Sequence, residues 1–268
     1  MKFEVLKGVW ALPLVAALTA CGGGGSDDAT VNTNQGSNTG GGGATTSTTP
    51  PAAFVKGARP RAFVMAAGLQ FNGVVDTLSQ QAAGGMVTIG SYAMTGSNPA
   101  DVAGDASFAM GRWGRGTVTT PTRTDTLSDG NAYHYVVYNQ LASFGANGTY
   151  ACEAGVFTTP TKINSTAVIS FGRTIGTATL NVSNLGASVT AEIQTDAGID
   201  SVKQSLSGLV TTPATILVSN RYLNNETGAQ ITVVDGGASN KLRIVLGHQT
   251  KVNGTDYRGV GTFLCTMH

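Results

Sequence analysis

The side chains that could do chemistry in this sequence are few and widely spaced. Its three histidines, His134, His248 and His268, lack the H-x-H or H-x-x-x-H spacing that brings two imidazoles to one metal ion. No G-x-S-x-G or S-x-x-K motif marks a nucleophilic serine, and no G-x-x-x-x-G-K-[ST] loop is present to bind a phosphate. We therefore predict no catalytic residue, no metal site and no cofactor, and expect a protein that is not an enzyme.

The chain begins with the pattern of an export signal. Lys2 and Lys7 give a positive start, and an apolar stretch follows from Val9 to Leu18, interrupted only by Pro13. This stretch is too short for a permanent transmembrane helix, which needs about 20 apolar residues. We predict that residues 1–20 are a signal peptide.

The residues that end this leader carry a first resemblance. Leu18-Thr19-Ala20-Cys21 resembles the lipobox of bacterial lipoproteins, in which cleavage before the cysteine is followed by acylation of its sulfur and its new amino terminus. The resemblance implies that acylated Cys21 anchors the protein in membrane lipid, and Gly22 favours the outer membrane of a Gram-negative bacterium. The alternative is an ordinary secretory signal in which Cys21 has no special role.

Cys152 and Cys265 are the only cysteines that remain once Cys21 is acylated. An even number of cysteines in an oxidising compartment favours a disulfide, which would join a strand in the middle of the domain to the final strand. The alternative is a pair of buried free thiols.

One local cluster could form a binding site. Trp113 is the only tryptophan after the leader, and it lies between Arg112 and Arg115. Tryptophan and arginine are frequent at binding hot spots, and Tyr133 and Tyr135 could lie nearby on a barrel wall. The alternative, which we prefer, is that Trp113 fills the barrel interior while the arginines face water.

Charge argues against nucleic-acid binding. Lysine plus arginine number 16 and aspartate plus glutamate 15, and removal of the leader leaves 14 of each. A neutral chain has no excess positive charge with which to neutralise a phosphate backbone. The fraction of charged residues is only 12%, which suits short strands and turns better than long surface helices.

Composition also divides the chain. Residues 21–53 are rich in glycine, serine and threonine and contain a single β-branched aliphatic residue, Val31, so this segment is predicted to be a disordered tether. Aromatic and aliphatic residues return at Phe54 and continue to the end. We therefore predict one domain over residues 54–268.

The fold predicted for this domain is all-β, a single antiparallel β-barrel of about eight strands. Alternating residues and turn signals predict the strands Ser107–Trp113 with a continuation at Thr117–Thr119, Tyr133–Tyr138, Thr149–Phe157, Ala167–Phe171, Thr177–Val182, Ser188–Gln194, Gln230–Val234, Lys241–His248 and Tyr257–Met267. Two segments, Asn72–Ala83 and Ile199–Val210, have apolar residues at helical spacing and are predicted to be short helices. A β-sandwich is the alternative architecture.

The chain from about Ser107 to the C-terminus resembles a known barrel domain. The stretches Met110–Val118 and Ala132–Val137 are similar to the "GRW…G" and "HYVV" landmarks of the barrel that follows FecR-type segments in some bacterial envelope proteins. Ile169–Leu180 and Gly259–Phe263 are similar to strands of the barrels of transferrin-binding protein B. The resemblance implies a barrel of about eight strands on a lipid anchor that binds host or nutrient molecules.

Together these features predict a non-catalytic binding module. We expect a lipoprotein of the outer membrane that binds a protein or a small nutrient ligand through the surface or loops of its barrel. The alternative is a structural or envelope-interaction module without a soluble ligand, docked to another envelope protein.

Overall fold

Strands make up nearly all of the regular structure of this chain. The computed structural model describes residues 51–66, 69–163, 172–213, 215–220 and 227–267. All of them belong to the second of the two units into which the chain divides, Gly40–His268. Cys21, most of the predicted tether, the predicted strand Ala167–Phe171 and His268 lie outside the described residues.

Among the described residues, ten strands and one short 3₁₀ helix precede residue 140. They are β1 (Pro60–Ala66), β2 (Leu69–Val74), β3 (Leu78–Gln80), β4 (Met86–Ile89), β5 (Tyr92–Thr95), β6 (Ala100–Asp105), β7 (Phe108–Trp113), β8 (Thr117–Thr119), β9 (Thr124–Thr126), the 3₁₀ helix Asp129–Asn131, and β10 (Tyr133–Asn139).

Ten further strands follow. They are β11 (Gly148–Cys152), β12 (Val156–Phe157), β13 (Thr161–Lys162), β14 (Arg173–Ser183), β15 (Gly186–Ala197), β16 (Asp200–Val210), β17 (Leu217–Asn220), β18 (Gly228–Asp235), β19 (Lys241–Val252) and β20 (Thr255–Met267).

The first ten strands form two five-stranded antiparallel sheets. The inner sheet has the order β2-β1-β10-β7-β6, and the outer sheet has the order β3-β4-β5-β8-β9. Between them lies an apolar core that includes Val64, Ile89, Trp113, Val118 and Tyr135, all with 0% exposure. This half of the chain is therefore a β-sandwich.

The last ten strands form a nearly closed antiparallel barrel. Eight of them follow the order β16-β15-β14-β11-β20-β19-β18-β17, and the short strands β12 and β13 also pair with β20. Successive residues alternate between the inside and the outside of the wall, and the interior is filled by apolar side chains such as Leu180, Val189, Leu206, Ile244 and Phe263. The prediction of an all-β chain with an antiparallel barrel of about eight strands is confirmed.

The inner sheet of the sandwich also packs against the outside of the barrel. Phe63, Met65 and Val136 point away from the sandwich core and meet Val245 and Val260 on the barrel wall. A side chain at Gly247 would clash with the Phe63 ring, so glycine permits the close approach of the two walls. The layers therefore follow the order outer sheet, inner sheet, barrel.

Three parts of the secondary-structure prediction are wrong. The predicted strand Thr149–Phe157 is interrupted at residues 153–155, which separate β11 from β12. The predicted helices are strands: Asn72–Ala83 contains the end of β2 and all of β3, and Ile199–Val210 forms β16. The buried, inward-facing residues of β16 are Gln204, Leu206 and Val210. Because one of these is a polar glutamine, the apolar residues of this strand do not show the alternation, with a period of two, that would predict a strand. The predicted continuation of β7 through Gly116 is also wrong, because Thr117–Thr119 is β8 and lies in the other sheet.

Within the part of the chain that the structure describes, no helix is long and apolar enough to cross a bilayer.

A covalent link joins the first and last long strands of the barrel. Cys152 of β11 and Cys265 of β20 are direct cross-strand partners, and their sulfur atoms lie at the disulfide distance of 2.05 Å. The bond would close a loop of 113 residues that contains most of the barrel.

Reduction of this bond should destabilise the protein. The chain-entropy account gives about 4.7 kcal/mol for a loop of about 100 residues, within an observed range of about 0–5 kcal/mol. We expect dithiothreitol to lower the free energy of unfolding of the purified protein in urea. The Cys152→Ser/Cys265→Ser variant should start from the lower value and show no response to the reductant. A wild-type protein that takes up two alkylating groups without reduction would contradict the pairing.

Candidate functional site

Trp113, the centre of the predicted binding cluster, lies in the sandwich core. Its indole Nε1 donates a hydrogen bond of 2.7 Å to the carbonyl oxygen of Met86, and its ring lies 5.1 Å from that of Tyr135. The Tyr135 hydroxyl accepts a bond of 2.9 Å from the Met86 amide, and burial raises its pKa well above the ordinary value. These two residues therefore hold β4 of the outer sheet against the inner sheet. Trp113 does not lie in the barrel interior.

Tyr133 lies in the same core but reaches the edge of the sandwich. Its hydroxyl donates to the Asp125 carboxylate and accepts a bond of 3.3 Å from Arg123. Burial raises the pKa of Tyr133, and the Arg123 guanidinium acts against that rise. The tyrosine fixes the β8–β9 hairpin rather than offering a free contact surface.

Arg112 faces the opposite way, toward the barrel. Its Nε donates a bond of 2.8 Å to Asp101, whose carboxylate also accepts bonds from the amide and hydroxyl of Thr159, at 2.9 and 3.1 Å. Asp101 adopts the left-handed backbone conformation, with φ of 52°, at an irregularity in β6. This carboxylate thus ties the inner sheet to the segment between β12 and β13.

The structure therefore separates the five residues of the predicted binding cluster. Trp113, Tyr133 and Tyr135 face the sandwich core, Arg112 is buried toward the barrel, and Arg115 alone is exposed. Trp113 is buried in the sandwich core and not in the barrel interior, and Arg112, which was expected to face water, is buried as well. No shared surface is formed by this set.

His134 lies in the junction between the sandwich and the barrel. Its Nδ1 and Nε2 lie 2.8 and 2.7 Å from the hydroxyls of Thr158 and Thr161. Burial lowers its pKa well below the usual range, and the charges of Arg112 and Arg258 lower it further. A neutral ring satisfies both contacts with one donor and one acceptor nitrogen.

His248 lies inside the barrel, near the end formed by the β15–β16 and β19–β20 turns. Its Nδ1 is 3.5 Å from the Thr250 hydroxyl, and hydroxyl contacts continue to Thr195 at 3.2 Å and to Thr174 at 3.3 Å. Burial lowers the pKa of His248 to about 3. Both described histidines are therefore neutral interior residues at neutral pH.

Two more arginines are buried at the junction. Arg243 pairs with Asp105 at 2.9 Å and lies 3.7 Å above the Phe108 ring. Arg258 donates to Gln249 at 3.0 Å and to the carbonyl oxygen of Ala66 at 2.7 Å. Polar contacts thus join the inner sheet and the barrel at both ends of their shared face.

The surfaces open to a ligand are elsewhere. One is the barrel wall opposite the junction, formed by the outward residues of β14, β15 and β16. The other is a groove of about 390 Å³ between the β10–β11 loop and the β18–β19 turn. Among the described residues, no group of three or more histidine, cysteine, aspartate or glutamate side chains is arranged to bind a metal ion.

Comparison with known proteins does not assign this chain to a family. No protein-family model matches the chain, and no curated protein and no solved structure shows significant similarity to it. The fold defines the class, a β-sandwich fused to an antiparallel barrel. The resemblance to the barrels of transferrin-binding protein B and of FecR-associated proteins stays a prediction.

Loss of the Asp101 carboxylate should destabilise the junction. In the Arg112–Asp101 pair the side chains are only 8% and 22% exposed, and Asp101→Asn leaves a buried guanidinium without this carboxylate while tolerating the left-handed backbone. We expect a loss of about 2–4 kcal/mol in urea unfolding. The matched control is Asp196→Asn in the looser pair with Arg173, in which the atoms lie 3.9 Å apart and the arginine is 44% exposed; it should cost less than about 1 kcal/mol. Equal losses in the two variants would contradict a special role for the junction.

Acid should destabilise the protein through the buried histidines. Because their folded pKa values lie below the unfolded value of about 6.5, the unfolded state binds more protons, and stability falls as the pH drops from 6.5 toward 3. For His248, whose pKa falls to about 3, the cost should be about 2 kcal/mol between pH 7 and pH 5, measured by urea unfolding. His248→Gln should remove this part of the loss. An unchanged pH dependence in that variant would show that His248 is not held neutral.

Proposed function

We propose that the protein is a lipid-anchored, non-catalytic binding module that holds a protein partner on the outside of its barrel. The observation that carries the proposal is the filled barrel interior. Leu180, Val189, Leu206, Ile231 and Ile244 are fully buried there, so the apolar part of the lumen is occupied by the protein's own side chains. A ligand would have to bind to the outer surface or to the loops.

The barrel wall opposite the junction is a regular surface of the described residues that is available for this. Strands β14, β15 and β16 have 11, 12 and 11 residues, and their outward side chains alternate with the buried ones. Most of the exposed positions are short and polar: Thr177, Thr179, Asn181, Ser188, Thr190, Ser205 and Ser207. Short side chains lose little rotational freedom on binding, so a partner can order them at low cost.

Two apolar side chains add possible contacts on this wall. Ile175 on β14 and Leu209 on β16 are 39% and 40% exposed. They lie on the same outer face as the hydroxyl rows, on strands separated by β15 and six register positions apart, so they flank the wall from opposite ends. The wall therefore combines apolar contacts with neutral hydrogen-bonding groups.

The position of Pro51, the first residue that the structure describes, favours exposure of this wall to a partner. Pro51 packs beside Gly84, in the turn between β3 and β4 of the outer sheet. The barrel lies on the other side of the inner sheet, and the wall lies on the far side of the barrel. A tether joined to lipid through Cys21 would thus hold the molecule by the layer that is farthest from the wall.

The leader and the lipobox resemblance support an anchor in the outer membrane of a Gram-negative bacterium. On this proposal Cys21 carries the acyl chains, which stabilise membrane association by about 0.8 kcal/mol per buried CH₂ group. The resemblance to known envelope barrels favours a host or envelope protein as the partner.

Site-specific cross-linking in intact cells tests the proposal. A photoreactive amino acid at Thr190, at the centre of the wall, should give a discrete cross-linked species with a protein partner. The matched control is Thr124 on β9, an exposed threonine of the outer sheet, which should give none. A cross-link from Thr124 but not from Thr190 would favour the envelope-docking alternative, and no cross-link from either position would overturn capture on the wall.

Two measurements on the same cells test the lipid anchor independently of the proposed partner surface. Cys21→Ser should abolish acylation and remove the protein from the membrane fraction, whatever the wall binds. Protease added to intact cells should release the folded part of the chain if the wall faces outward. Complete protection would place the protein on the periplasmic side.

A further inference from the structure

The groove at one mouth of the barrel has the construction of a small-molecule site. Its floor is apolar, because Leu141 and Phe144 of the β10–β11 loop pack against the barrel core beside Leu242, which is 2% exposed. Its volume of about 390 Å³ falls within the range of ligand pockets, about 300–1,000 Å³. The end of the barrel core is thus covered by a loop that leaves a recess beside it.

Two opposite charges border this apolar floor. Asp235 and Lys241 stand at the two ends of the β18–β19 turn and both line the groove. The Asp235 carboxylate accepts a bond of 2.8 Å from the Gly237 amide through Oδ1. Neither charged side chain forms an ion pair within 4 Å of a described residue, although the Asp235 carboxylate is near enough to Arg243 to raise the pKa of that guanidinium against the effect of burial.

Glycine keeps the recess open. Gly145 lies on the loop side and Gly237 on the turn side, and Gly237 adopts the left-handed conformation with φ of 88°. A Cβ at Gly145 would lie 2.7 Å from the Tyr150 hydroxyl, so a side chain there would disturb the loop that forms the floor. The geometry of the groove therefore depends on two residues without side chains.

We infer that this groove binds a small zwitterion with an apolar side chain, of the class of free hydrophobic amino acids. Such a molecule offers an ammonium group to Asp235, a carboxylate to Lys241 and an aliphatic or aromatic group to the floor. The groove is formed by the β10–β11 loop and the β18–β19 turn, whereas the proposed partner surface is formed by β14, β15 and β16. The inference therefore goes beyond the proposed function and does not depend on it.

Leucine serves as the test ligand. Titrated at millimolar concentration into the purified protein, it should shift the NMR signals of Leu141, Phe144 and Leu242. Leucinamide, which lacks the carboxylate, and N-acetyl-leucine, which lacks the ammonium group, should each bind at least about ten-fold more weakly, because each leaves one charged partner unmatched.

Variants locate the site. Asp235→Asn and Lys241→Gln should each weaken leucine binding at least about ten-fold, whereas Asp196→Asn and Lys203→Gln, on the opposite wall of the barrel, should leave it unchanged. Absence of binding at millimolar leucine would overturn the inference. Binding that persists equally in both groove variants, or that shifts signals only outside the groove, would overturn it as well. None of these outcomes alters the cross-linking result expected at Thr190.

Discussion

The whole structure depends on one sheet that is buried on both faces. The inner sheet of the sandwich packs against the outer sheet on one side and against the barrel wall on the other. Its strands alternate between two cores, so neighbouring residues such as Arg112 and Trp113 contribute to different contacts. Apolar contact accounts for most of each face, and polar residues such as the partly buried Asp101 and the buried His134 fix which barrel residues meet which strand. The sandwich and the barrel are therefore one body.

The sequence predicted the barrel better than the sandwich, for a physical reason. The part of the barrel wall formed by β14 and β15 has one buried and one solvated face, so these strands show turns and alternation that can be recognised. Strand β1 is buried on both faces and has a continuous apolar run, which carries no period of two, and strands such as β3 and β9 have only three residues. None of the strands before residue 107 was predicted.

The candidate sites show the same limit. Alternation alone could have separated Arg112 from Trp113, since adjacent residues of a strand face opposite ways. It could not identify what covers each face, because that depends on contacts between distant segments. The groove brings together residues near 141 and near 241, and no local pattern marks such a pair. The cysteine pair was the exception, because an even number of cysteines constrains the pairing without knowledge of the fold.

The link between Cys152 and Cys265 has a mechanical consequence. It encloses residues 152–265 in a covalent ring, whereas all strands of the sandwich lie in series before Cys152. A pulling force applied between Pro51 and the wall would pass along a single chain through the sandwich and would divide between two arms of the ring at Cys152. The sandwich would then unfold first under tension and lengthen the molecule. The covalent ring would limit the extension of the barrel.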